Sequence, residues 1–174
     1  SVMKLREIGL SPDMILCRSE LPIEQAVRDK IALFCNVPSN HVIEGRDVSS
    51  IYEVPLVIYK QNAGQLIKDR LKIKKTPQLG TLKKFIKNYK NPKHQVTIAM
   101  CGKYTELIDS YKSVMEAFVH AGVENNSSVN IKWIQTEKIK NYKDVRDVFS
   151  NVNGVLILPG FGPRGSEGKI KIVK

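Results

Sequence analysis

No run of roughly 18 apolar residues occurs anywhere in the chain, so no segment reads as a membrane span. Cysteine is scarce: Cys17, Cys35 and Cys101 are the only three in 174 residues, and they lie far apart. An odd, sparse set excludes a disulfide framework and points to reduced thiols in a cytoplasmic setting. Histidine is as rare. His41, His94 and His120 share no ligand spacing, and neither H-E-x-x-H nor C-x-x-C is present. No zinc or other metal site is expected from that set. The opening residues, Ser1 to Glu7, lack the pattern of a secretion leader and read as the middle of a helix. The sequons in Asn125-Asn126-Ser127-Ser128 therefore read as a polar loop.

Acidic residues are missing from one place in particular. Residues 56–95 hold eleven Lys/Arg and one acid, Asp69, whereas residues 1–55 hold six and eight, and residues 96–174 eleven and eight. Nearly all of the net charge of +11 sits in that central segment. Two readings are open: a nucleic-acid or polyanion patch, or a solvated lysine-rich linker. Tyr59, Phe85 and Tyr89 are present, but no RNA-binding or helix-turn-helix signature is, and the linker is preferred.

Alternation of elements organises the rest. Asp13 to Ser19 reads as a buried strand. Pro22 suits a first helical turn, and Ile23, Ala26, Val27, Ile31 and Phe34 recur at helical spacing through Asn36. Val42-Ile43 is a second strand, giving a β-α-β order and a parallel sheet. A helix is expected over 56–71, weakened at Gly64, and another over 79–89. Pro92-Lys93-His94 marks a domain boundary. Beyond it, strands at 96–100, 129–134 and 155–158 alternate with helices at 110–120 and 142–149. Gly122 reads as a residue just past a helix end. This order is the opening half of a doubly wound α/β domain, whose ligands bind beyond the strand C-termini.

Two segments fall at that position: Gly102-Lys103-Tyr104 and the turn Pro159-Gly160-Phe161-Gly162-Pro163-Arg164-Gly165. Gly160, Gly162 and Gly165 satisfy G-x-G-x-x-G, yet the dinucleotide fingerprint belongs on a first strand, and this turn follows the third. Pro163 also removes a backbone donor. Amides pointing at a developing anion, as in an oxyanion hole, fit better. No catalytic nucleophile is convincing within the sequence. Cys17, Cys35 and Cys101 each read as small core residues.

Several segments together resemble the CTP synthase family, the glutamine-hydrolysing enzymes. Gly9 to Ser19 is similar to G-x-x-P-D-x-x-x-C-R-S, and Lys30 to Val37 to K-I-x-x-F-C-x-V. Asp47 to Pro55 is similar to D-V-x-S-I-Y-x-V-P. Gly102-Lys103-Tyr104, Asp109 to Ser113 and Phe161 to Lys169 resemble G-K-Y, D-x-Y-x-S and F-G-x-R-G-x-E-G-K. The resemblance implies a central fragment, α/β throughout. Residues 1–55 would end a P-loop-type parallel amidoligase domain. Residues 56–95 would be a basic, partly helical linker. Residues 96–174 would begin a flavodoxin-like glutaminase domain.

What the resemblance implies about chemistry follows. In the family, glutamine is hydrolysed at a Cys-His-Glu triad. The ammonia then attacks a UTP carbon activated by phosphorylation from Mg2+-bound ATP. GTP stimulates, CTP inhibits, and the enzyme is a homo-tetramer. Lys30 matches a UTP/CTP-contacting lysine, suited to a triphosphate as a mobile point charge. Arg46, Asp47 and Val48 match the adenine-proximal ATP segment. Gly160 matches a glycine of the glutamine and oxyanion loop. Arg18 and Arg164 fall in motif positions, and only proximity to the sites is assigned to them. The phosphate loop, the metal-binding acids and the triad are expected outside residues 1–174, leaving this stretch inactive by itself. Pro159-Gly160-Phe161-Gly162 also departs from the family's P-G-G-F-G by one glycine.

Overall fold

The computed structural model describes residues 2–160 and 162–174. They form two compact units divided between Leu82 and Lys83. The first contains helix α1 (Val2–Glu7), strand β1 (Ile15–Ser19), α2 (Gln25–Cys35), β2 (Val42–Arg46), α3 (Val54–Lys60) and α4 (Ala63–Leu71). Strands β1 and β2 pair in parallel, from Ile15↔Val42 to Ser19↔Arg46, with α2 as the crossover. The core is Ala32, Val37 and Val42, packed with Ile15, Cys17, Ile31 and Cys35.

Helix α2 opens at Gln25, not at Pro22. The cause is local. The Ile23 N–H donates to the Glu44 carboxylate at 2.7 Å, which ties that residue to β2. The helix closes through Asn36 in the left-handed region, a conformation asparagine tolerates.

The single helix expected over 56–71 is two helices. The break falls at Gln61-Asn62, where Asn62 has φ +64°, while Gly64 lies inside α4. Gln61 explains it. Its side-chain amide donates to the Glu44 C=O at 2.7 Å and accepts from the Glu44 N–H at 2.8 Å. The Arg28 guanidinium donates to the neighbouring Val42 C=O. Side chains thus satisfy backbone groups on the outer side of β2 that a third strand would otherwise pair.

Helix α5 (Gly80–Lys90) leads into the second unit, which holds β3 (His94–Gly102), α6 (Lys112–Glu124), β4 (Ser127–Gln135), α7 (Tyr142–Phe149), β5 (Gly154–Ile157) and α8 (Ser166–Val173). The sheet order is β4-β3-β5, all parallel. Both faces of β3 are covered, as alternation on a central strand requires. Ala99 and Cys101 pack with Ile134 and Ile139 against α7 and Ile172. Met100 packs on the opposite side with Tyr111 and Leu158, beneath Val114 and Phe118.

Gly122 is not past a helix end. It is buried inside α6, and a Cβ there would sit 2.5 Å from the Ser127 C=O. Glycine is required at that point by a close approach of backbone to backbone, and the helix continues to Glu124. Helix α7 starts on a capping box, with Asn141 accepting from the Asp144 N–H and Asp144 accepting in return. Among the described residues, no helix is long and apolar enough to cross a membrane.

Candidate functional site

Each unit presents an open edge at the C-terminal ends of its parallel strands. In the first, a cleft of about 520 Å³ is lined by Leu16, Arg18, Arg46, Asp47, Val48 and Ile51, with Gly45 and Val54 completing it. Leu16 and Ile51 are more than half exposed, so the floor offers apolar surface to whatever enters. Arg18 bridges the rim, its guanidinium donating to both Asp47 carboxylate oxygens at 2.9 and 3.4 Å. That hydrogen bond, with the Asp47 charge, holds the Arg18 guanidinium above its ordinary range. The Asp47 N–H is fixed on the Ser19 C=O at 2.9 Å, and the next main-chain groups, those of Val48, are unbonded among the described residues. An apolar floor beside free backbone groups suits a flat heterocycle. Arg46, Asp47 and Val48 are therefore brought together in one cleft. Lys30 is elsewhere, on the exposed face of α2, with no hydrogen bond or ion pair among the described residues.

The second edge lies where the strand order reverses, between β3 and β5, the crevice in which doubly wound sheets hold ligands. Leu158 continues β5 by donating its N–H to the Cys101 C=O at 2.8 Å, and its side chain is buried. Gly160 and Gly162 follow and are exposed. The Lys103 ammonium donates to the Gly162 C=O at 2.9 Å, and Ser166 Oγ donates to the same oxygen at 3.1 Å. The Lys169 ammonium donates to the Leu158 C=O at 2.7 Å. Arg164 pairs with Glu137 at 3.3 Å and lies 5.3 Å from the Tyr104 ring centre, in cation–π range.

Close packing at Thr136 sets how the turn meets α8. Gly165 has φ +73°, and a Cβ there would stand 2.6 Å from Thr136 Oγ1. A Cβ on Gly168 would overlap the Thr136 carbonyl. Phe161 lies outside the described residues. Cys101 is fully buried, and burial pushes its thiol up to about 11, away from nucleophilic use at neutral pH. Among the described residues, no group of three or more His, Cys, Asp or Glu could hold a metal ion.

Comparison with known proteins gives two separate matches, one within each unit. Residues 1–73 match the model described as CTP synthase N-terminus, and residues 106–174 match glutamine amidotransferase class-I. A CTP synthase from Caldanaerobacter subterraneus subsp. tengcongensis is 47% identical over 175 residues, covering all of this chain and 32% of that protein. The chain belongs to the CTP synthase family. Relatives named CTP synthase from Methanocaldococcus jannaschii and Sulfolobus acidocaldarius are 43% and 42% identical, again over all of this chain and 33% of theirs. The chain thus spans about a third of the length of the curated relatives it matches. The polyanion reading of residues 56–95 gains no support from these matches. Thr136 and Gln61 had no signal of their own in the sequence; Lys169 did, as the last residue of the Phe161 to Lys169 motif. Lys103 did, in the Gly102-Lys103-Tyr104 segment, but the segment said nothing of what the lysine holds.

Proposed function

We propose that the protein carrying this chain converts UTP to CTP, using ATP and ammonia released from glutamine. The observation that supports this best is that one chain holds two parallel α/β units, each with an open edge of different chemistry. The cleft beside Arg46, Asp47 and Val48 is taken as the base end of an ATP site. Its apolar floor fits an adenine ring, and the Val48 main chain supplies an unbonded donor and acceptor for the ring edge. When bound, ATP supplies the phosphoryl group that turns a UTP carbonyl oxygen into a leaving group. Lys30 is free to reach a triphosphate, and the same reach serves CTP as inhibitor. Mg2+ accompanies ATP in this reading, and its ligands are assigned to the remainder of the protein.

The turn at Gly160 is taken as the donor side of the glutaminase. Exposed amides at the switch point face the place where an amide carbonyl would gain negative charge. The nucleophile belongs to the remainder of the protein in this reading. GTP stimulation, a homo-tetramer and a cytoplasmic setting belong to the same reading. The domain assignment 1–55, 56–95 and 96–174 belongs to it as well.

The test uses the intact protein with UTP, ATP, Mg2+ and either glutamine or ammonia, and follows CTP by chromatography. Lys30→Ala should raise the UTP concentration for half-maximal rate about tenfold, one charge-assisted contact's worth, and the ATP requirement far less. Equal shifts for both nucleotides remove Lys30 from the UTP site. No CTP under any condition removes the reading as a whole.

A further inference from the structure

We infer that Lys103 and Lys169 are positioning residues that clamp the Gly160 turn from both ends, so that its free amides face a developing oxyanion. The inference rests on the glutaminase reading above and adds what holds the turn in place. The turn is bounded by Pro159 and Pro163. Each proline makes the preceding peptide a tertiary amide with a carbonyl but no N–H. Those two carbonyls, Leu158 and Gly162, are the ones the two ammonium groups hold. The anchored peptides therefore contribute only acceptors, and both are turned toward lysine. The Gly160 and Gly162 N–H groups between them are unbonded among the described residues.

The clamp is built into the fold. Lys103 is only 7% exposed although it carries an ammonium group. Its stem runs under the turn: a Cβ on Gly160 would lie 3.7 Å from its Cδ, and one on Gly165 3.5 Å from its Cγ. The Lys169 ammonium would lie 3.6 Å from the same Gly160 Cβ, so both lysines pass behind this glycine. Lys103 leaves β3 immediately after Gly102, which packs on Leu158 so closely that a Cβ would sit 2.9 Å from Leu158 Cδ1. Lys169 stands one turn into α8, its N–H bonded to the Gly165 C=O. The central strand and the following helix thus each send one cation to the turn. Two positive charges behind the backbone also favour an anion in front of it.

The experiment compares Lys103→Met, Lys103→Arg and Lys169→Met in the intact protein. Three activities are read: glutamine hydrolysis, CTP formation driven by added ammonia, and inhibition by the aldehyde analogue of glutamine, which forms a tetrahedral adduct. Each Met variant should lose about 10- to 100-fold in kcat for glutamine hydrolysis, with KM within about twofold. Aldehyde inhibition should weaken by a similar factor. Lys103→Arg should recover most of the loss, and ammonia-driven synthesis should hold within about twofold. Wild-type glutamine hydrolysis in both Met variants overturns the inference. So does an equal loss of ammonia-driven synthesis, which marks a general folding role. A wild-type protein that hydrolyses no glutamine overturns the glutaminase reading instead.

Discussion

Replacing Gly168 by alanine should destabilise the protein, although helix propensity predicts the opposite. Alanine in a helix is favoured over glycine by about 1 kcal/mol. Gly64 in α4 provides the control, since a Cβ there meets only the Tyr59 Cδ2 at 3.8 Å and the Pro77 Cγ at 4.0 Å, ordinary contact distances. Gly64→Ala should therefore stabilise by about 0.5 to 1 kcal/mol. At Gly168 the new carbon would overlap the Thr136 carbonyl oxygen and stand 2.8 Å from its carbonyl carbon. Carbon–carbon contact is comfortable near 3.5 to 4.0 Å, so α8 would retreat by about 1 Å. Backbone stands on both sides, so no rotamer change relieves the clash. Overpacking of this kind costs about 1 to 3 kcal/mol, and the upper end is expected here. Retreat of α8 carries Lys169 and the Gly165 end of the turn with it. A misplacement near 1 Å at a reacting centre costs about 100-fold in rate. The measurements are melting midpoint, hydrogen exchange of the α8 amides, and glutamine hydrolysis in the intact protein. If both alanine variants stabilise, the close docking of α8 on Thr136 is wrong; under the glutaminase reading, a Gly168→Ala protein that hydrolyses glutamine at the wild-type rate removes the link between that docking and the turn.

Gln61→Leu leaves the Glu44 N–H and C=O unpaired, and should cost about 1 to 3 kcal/mol in a melt, whereas Gln61→Glu loses one of the two bonds and costs less. Asn141→Ala removes half of the α7 capping box and should cost about 1 kcal/mol. The Lys140 N–H, then the Asn141 N–H, hold the Asp144 carboxyl below the usual range. Its folded pKa is depressed, so its contribution is present above the unfolded carboxyl range near pH 4 and fades as pH falls through the folded value. Asp144→Asn should flatten that acid limb of a stability–pH profile, and an unchanged limb counts against the carboxylate's role. Cys101, buried with its thiol raised to about 11, should react with maleimide at pH 8 far more slowly than Cys17 or Cys35 until the protein is unfolded. Equal rates in the native protein would contradict the burial.

Much of the architecture was readable because it depends on local pattern. A central strand with both faces covered needs a nearly continuous apolar run, and Val96 to Met100 has one, interrupted only at Thr97. Helix α7 has the expected bounds because Asn141 and Asp144 sit at capping-box spacing. The misreadings share a different cause. Gly122 looks like a helix end, yet it is there because α6 touches the Ser127 backbone across the fold. Pro22 looks like a helix start, yet Glu44, twenty-odd residues later, binds the amide that follows it. The break at Gln61 depends on an edge of β2 that no local pattern announces. At the candidate sites, residue types were readable and their supports were not. Gly160 could be singled out in the sequence, but the two lysines behind it come from just past β3 and from α8, about 60 and 10 residues away, and only folding brings them together.

The side chains of Gln61 and Arg28 on the outer side of β2 also decide how the first sheet can grow. A strand edge is a template for further pairing, in the same molecule or another. Here one edge is already spoken for by an amide and a guanidinium, which occupy Glu44 and Val42. The open side among the described residues is that of β1. Any strand contributed by the rest of the protein would therefore join next to Ile15–Ser19, building the sheet in one direction only and leaving α3 at its finished border.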